Sequence, residues 1–186
     1  MRIVAGQFKG RPIQTPKTDA TRPTSDRARE SLFNILAHAA WAPPLAGARV
    51  IDVFAGSGAL GLEAMSRGAS FGLFVETAAA ARGAIRNNIE AFNLFGQTRI
   101  HRRSATQLGD LPTGLGQPFD LAFLDPPYHR DLVAPCLRSL TMGGWLHAES
   151  LVIVETAADE QLDLAAWELL ADRQIGAARL WFLKAT

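Results

Sequence analysis

The sequence is poor in the features that usually announce a protein's setting. Cys136 is its only cysteine, and four histidines are scattered along it. No internal disulfide can form, and no CxxC-type spacing offers a structural zinc site. That reads as a reduced thiol packed in a helix of a cytoplasmic protein with no bound metal. Long apolar runs are missing too. The stretches "RVIDVFA", "FGLFVE" and "LVIVE" are strand-sized, well short of the ~18 residues that a membrane-spanning helix needs. The opening "MRIVAGQFKGR" carries charge early and holds no apolar h-region, so it does not read as a signal peptide. No repeat or low-complexity tract interrupts the chain. Its 186 residues, 48% hydrophobic, suit one domain with a sizeable core.

A net charge of one sign is also lacking, at +1 overall. The charge is unevenly spread, however. Residues 1–30 hold seven basic groups (Arg2, Lys9, Arg11, Lys17, Arg22, Arg27, Arg29) against three acids (Asp19, Asp26, Glu30), so the rest of the chain is net acidic. A basic arm on such a body suggests a polyanionic partner met at one end, with Arg2, Lys9 and Arg11 as phosphate contacts. Ordinary solvated surface charge would look the same.

The order of elements is informative. "RIVAGQFKGRPIQTP" reads as a small hairpin, followed by a helix capped at Thr24 or Ser25 with Asp26 in its first turn. Ala28, Leu32, Ile35, Leu36 and Ala39 form its apolar face, and Pro43 and Pro44 end that unit. Residues 1–42 thus form a basic hairpin and helix extension, and 43–186 a core. In that core, strands read at 49–54, 71–76, about 98–102, 119–124 and 151–155, with helices at 59–67, 78–93 and 131–141. Strands alternating with helices imply a parallel, doubly wound α/β sheet. The tail "WELLADRQIGAARLWFLKA" has no room for a crossover helix and reads as an antiparallel hairpin on the sheet edge.

"RVIDVFAGSGALGLEA" is a strand, a glycine turn and a helix, with Gly56, Gly58 and Gly61 in G-x-G-x-x-G spacing. The glycines permit a sharp turn and close approach of a ligand, and the helix start suits an anionic group. A pyrophosphate and an amino-acid carboxylate fit equally well there. Asp52 ends this strand and Glu76 ends the next, where a carboxylate would accept from ribose hydroxyls. Topology places Ser104 and Ala105, after the third strand, beside a bound adenine.

The fourth strand ends in "LDPPY", which brings Asp125 to the same sheet edge. Pro126 and Pro127 stiffen the turn. An exocyclic amine has two N–H donors, one for the Asp125 carboxylate and one for the Pro126 carbonyl, with Tyr128 stacked on the base. Such a clasp turns the amine lone pair toward an activated methyl group and stabilises the charge that develops. The tetrapeptide specifies an exocyclic amine and leaves the base open. His129 reads as a bystander.

With "DVFAGSGALGLEA", "LDPPY" and "RPTSDRARESLFNIL" together, the chain resembles the RsmD family of 16S rRNA (guanine-N2)-methyltransferases over most of its length. The resemblance implies a Rossmann-like class I methyltransferase: a mostly parallel seven-stranded sheet ending in an antiparallel hairpin, helices on both faces, and an N-terminal extension. It implies S-adenosyl-L-methionine as methyl donor, S-adenosyl-L-homocysteine as product, and 16S rRNA in the small ribosomal subunit or its assembly intermediate as partner, with the enzyme a monomer. Asp52, Phe54, Ala55, Gly56, Ser57 and Gly58 become the cofactor loop, Glu76 the ribose partner, and Asp125, Pro126, Pro127 and Tyr128 the catalytic turn. Arg22, Pro23 and Thr24 border the site, and Arg27 and Arg29 touch substrate or cofactor. Three rivals remain at this level: an adenine-N6 or other DNA amino-methyltransferase, a nicotinamide-dependent oxidoreductase, and a catalytically idle RNA-binding assembly factor.

Overall fold

The computed structural model describes residues 1–16 and 26–185. The chain runs α1 (Asp26–His38), β1 (Arg49–Val53), α2 (Ala59–Ser66), β2 (Phe71–Val75), α3 (Ala79–Ala91), β3 (Thr98–His101), β4 (Phe119–Leu124), α4 (Val133–Met142), β5 (Leu146–Ala157), β6 (Trp167–Ile175) and β7 (Ala178–Ala185). One seven-stranded sheet orders them β3-β2-β1-β4-β5-β7-β6. Every pair through β5 is parallel, and β7 pairs antiparallel with both β5 and β6. The order reverses between β1 and β4, the position at which open α/β sheets bind ligands at their carboxyl edge.

Alternation along the central strands feeds two cores. Leu121 and Phe123 of β4, with Leu151 and Ile153 of β5, pack toward α1 and α2. Ala122, Leu124, Val152 and Val154 pack on the other face with α4 and Trp145. Burial on both faces explains why these strands read as unbroken apolar runs. The β5 strand is longer than its apolar stretch suggests. Its start, through His147 and Glu149, is polar and reaches solvent, and its far end is held by pairing of Thr156 with Arg179 and Ala157 with Ala178.

All eight residues of α2 are buried. The sheet covers one side and the N-terminal extension the other. In place of a regular hairpin, the extension has one antiparallel bridge between Arg2 and Pro12, flanked by bonds from Ile3 N–H to the Arg11 carbonyl and from Ile13 N–H to the Met1 carbonyl (3.0 Å each). It is anchored instead to α2. The fully buried carboxylate of Glu63 accepts from the backbone N–H of Val4 (2.8 Å) and Ala5 (3.0 Å), and the Ser66 hydroxyl accepts from Phe8 N–H (3.0 Å). Gly6 crosses this contact with φ +83°, and a Cβ there would lie 2.0 Å from the Ser66 carbonyl oxygen. Gly6→Ala combines left-handed strain with a backbone clash, so an expected loss of about 3 kcal/mol in urea unfolding tests the docking.

Candidate functional site

Three turns at the carboxyl edge of the sheet meet around one cavity of about 1040 Å³. That is at the upper end of the ~300–1,000 Å³ of ligand pockets, room enough for a nucleoside-sized cofactor. Asp52, Phe54 to Ser57, Ala59 and Leu60 line it from the glycine loop, and Glu76 and Thr77 from the end of β2. Asp125, Pro126, Pro127 and Tyr128 line it after β4. Met1, Thr15, Pro16, Arg27 and Ala28 close it from the extension.

The three glycines differ in duty. Gly56 has φ +55° and a Cβ there would meet nothing within 4 Å, so it turns the chain and leaves the cavity open. Gly58, at φ +79°, starts α2. At Gly61 a Cβ would lie 2.5 Å from the Phe74 ring, so its absence lets α2 settle onto β2. Phe54 is held at φ 65°, a left-handed conformation costly for an aromatic residue and characteristic of functional loops.

The acids hold this loop in shape. Glu76 accepts from Gly56 N–H (2.9 Å) through one oxygen and from Ala78 N–H (2.8 Å) through the other. Asp52 accepts from Gly61 N–H at 2.9 Å. Burial pushes the Asp52 carboxyl well above the usual carboxylate range; the Gly61 bond opposes this, and the like charges of Asp125 and Glu76 add to it. A raised folded pKa gives stability that is fully present below the unfolded value and is lost as pH rises through the folded one. Asp52→Asn lacks that titration. As pH rises above the unfolded value of about 4, its urea midpoint is therefore expected to gain on that of the parent.

Several side chains absent from the motifs complete the site. Asn88 of α3 is buried; its amide donates to the Ser57 carbonyl (3.1 Å) and the Gln14 carbonyl (3.0 Å), and it accepts from Gln14 N–H (2.8 Å). It thereby ties the extension to the glycine loop. Glu155 of β5 accepts from the hydroxyl of Tyr128, the only tyrosine in the chain, at 2.7 Å. The β6–β7 turn, Ile175 to Ala178, forms a further wall. Asn88 carries no sequence signal, whereas Glu155 shows the same strand-end acid pattern as Glu76.

Other expected residues are placed elsewhere. Arg29 is fully buried, paired with Asp26 (2.9 Å) and Glu63 (3.5 Å), and donates to the Arg2 carbonyl, so it is a packing cation and not a substrate contact. The Arg11 guanidinium donates to the Ala91 carbonyl and lies 4.7 Å from the Phe92 ring centroid, which commits it to the fold. Arg2 and Lys9 are exposed but do not line the cavity. Ser104 and Ala105 do not line it either. Ala105 is buried in the core beneath, and the Ser104 hydroxyl meets that of Thr106 at 3.0 Å. Arg27 does reach the cavity. Arg22 and Thr24, like Pro23 and the Thr24 or Ser25 cap, lie outside the described residues. Among the described residues no cluster of His, Cys, Asp and Glu could hold a metal ion, and no helix is long and apolar enough to cross a membrane.

Comparison with known proteins gives this geometry a family. The model of the family described as "Conserved hypothetical protein 95" matches residues 1–184. Ribosomal RNA small subunit methyltransferase D of Escherichia coli K12 is 35% identical over 178 residues, covering 95% of this chain and 85% of that protein. The chain belongs to the RsmD family. The solved structure of Escherichia coli yhhF superposes on this RsmD-family chain with a TM-score of 0.80 at 33% identity, covering 100% of the one and 97% of the other. More distantly, magnesium protoporphyrin IX methyltransferase of Synechocystis, solved with bound SAM, shares the fold at a TM-score of 0.64 and 14% identity, over 86% of this chain and 79% of that one. The Rossmann-like class I fold expected of the family is the fold observed, terminal hairpin included.

Proposed function

We propose that the chain transfers a methyl group from S-adenosylmethionine to the exocyclic N2 of a guanine in small-subunit rRNA. The observation that carries this reading is the single cavity shared by the glycine loop and the Asp125–Tyr128 turn. Relatives named as small-subunit rRNA methyltransferases support the RNA substrate. A small subunit or its assembly intermediate as the particle, the cytoplasm as the setting, and action as a monomer belong to the same proposal, as does one methyltransferase domain built from an extension and a core.

The cavity's charge favours this cofactor over a dinucleotide. Glu76, Asp125 and Glu155 all line it, a lining that attracts a sulfonium cation and repels a pyrophosphate. The Gly56 N–H, which a pyrophosphate would use, donates to Glu76. Glu76 remains the group best placed for ribose hydroxyls, and the cavity-lining start of α2 at Ala59 and Leu60 offers its dipole to the amino-acid carboxylate. When bound, S-adenosylmethionine supplies a methyl group activated by its positive sulfur.

The chain's own residues orient the acceptor. The guanine amine donates to Asp125 and to the Pro126 carbonyl, which directs its lone pair across the cavity toward the glycine loop. Tyr128 covers one face of the base. Asp125 stabilises the positive nitrogen as the new bond forms and then takes its proton. The decisive experiment incubates the protein with labelled S-adenosylmethionine and unmodified small subunits, naked rRNA or DNA, followed by nucleoside analysis. Label in N2-methylguanosine from small-subunit rRNA is expected; label only in N6-methyladenine would overturn the reading.

A further inference from the structure

We propose that Glu155 selects the base, its carboxylate accepting the ring N1–H of guanine next to the amine held by Asp125. The inference rests on the amine-methylation reading above and adds a residue that lies in neither motif.

The placement comes from the sheet. Leu124 of β4 pairs in parallel register with Val154 of β5, so the next residue on each strand, Asp125 and Glu155, stand side by side about 4.8 Å apart, the ordinary strand spacing. Both line the cavity. Glu155 is only 9% exposed, and its strand neighbour on the far side, Leu180 of β7, is buried and apolar. The strand on which it sits is therefore fixed from both flanks. Tyr128, whose ring is to cover the base, donates its hydroxyl to Glu155 at 2.7 Å.

The chemistry distinguishes the bases. Guanine presents N1–H and the N2 amine on one edge, an unbroken row of donors. Adenine presents its amine beside N1, which is an acceptor. Two adjacent carboxylates match the first pattern, while the second sets a lone pair against a buried carboxylate oxygen. Asp125 with the proline turn recognises an amine on any base; Glu155 supplies the missing discrimination.

The test uses the full chain and small subunits reconstituted with either guanine or 2-aminopurine at the methylated position. The analogue keeps the 2-amine and replaces N1–H with a lone pair. The parent is expected to favour guanine by at least about 100-fold in kcat/KM. In Glu155→Gln the amide can present N–H to the analogue, and the preference is expected to shrink to within about fivefold, while S-adenosylhomocysteine still raises Tm as in the parent. Tyr128→Phe removes the hydroxyl and keeps the ring, and is expected to slow both substrates alike. An unchanged preference in Glu155→Gln, or an equal collapse in Tyr128→Phe, overturns the assignment. A parent that methylates neither substrate overturns the proposed function and this inference with it, whereas equal use of both overturns the inference alone.

Discussion

Asp125→Ala is expected to lower kcat on small subunits by about 1,000-fold, while affinity for S-adenosylhomocysteine stays within about threefold. The reason lies in where Asp125 stands. It directly follows β4 beside the order reversal of the sheet and lines the shared cavity, followed at once by the rigid Pro126–Pro127 turn. An aromatic amine is a poor nucleophile because its lone pair is delocalised into the ring. Holding that amine as it becomes tetrahedral is an interaction made mainly in the transition state, so its loss lowers kcat more than it raises KM. Single-turnover rates, read beside calorimetric titration with the product, separate the two effects. A rate within tenfold of the parent would remove Asp125 from the chemistry.

Glu63→Gln is expected to cost about 3–5 kcal/mol in urea unfolding. Its buried carboxylate receives Val4 N–H, Ala5 N–H and Arg67 Nε at 2.8, 3.0 and 2.9 Å, with Arg29 Nε at 3.5 Å. An amide replaces one acceptor oxygen with a donor, set against other donors, and takes a counter-charge from the fully buried Arg29 guanidinium. Asp26 remains as a partner, but half exposed. Breaking a buried pair from one side leaves the other charge desolvated and poorly compensated, which is far costlier than replacing both. Limited proteolysis is expected to nick the extension of this variant first. A loss under about 1 kcal/mol would show that the contacts to Glu63 do not hold the extension down.

What could be read in advance follows from the range of the forces involved. The central strands were visible because burial on both faces writes a continuous apolar run, and the terminal hairpin because a two-residue turn at Gly176–Ala177 is a local signal. The glycine loop and D-P-P-Y were visible for the same reason: each is one strand end and its turn. Arg29 was misread because counting charges says nothing of where they are spent. A guanidinium inside a protein beside Glu63 looks the same in a sequence as one facing solvent. Asn88 and Glu63 were missed because their partners, such as Gln14 and Val4, lie 74 and 59 positions away. Glu155 was hidden by its own strand. It ends the apolar stretch as Glu76 does, but the strand continues to Ala157 through pairing with β7, and that pattern alone does not say that the side chain meets a cavity wall. Ser104 and Ala105 rest on analogy of topology alone; beyond His101 the chain is exposed through Ser104 and then buries Ala105 in the core, off the cavity lining.

The docking of residues 4–8 onto α2 also bears on how the molecule is made. During synthesis those first residues leave the ribosome before Glu63 and Ser66 exist, and they must wait for partners 58–59 positions downstream. Until then the side of α2 that carries Glu63 and Ser66 is uncovered, and closing such a long loop is slow compared with winding a helix. The final clasp therefore belongs late in folding, after the parallel strands have met. A defect in it would surface as faster unfolding with little change in the refolding rate.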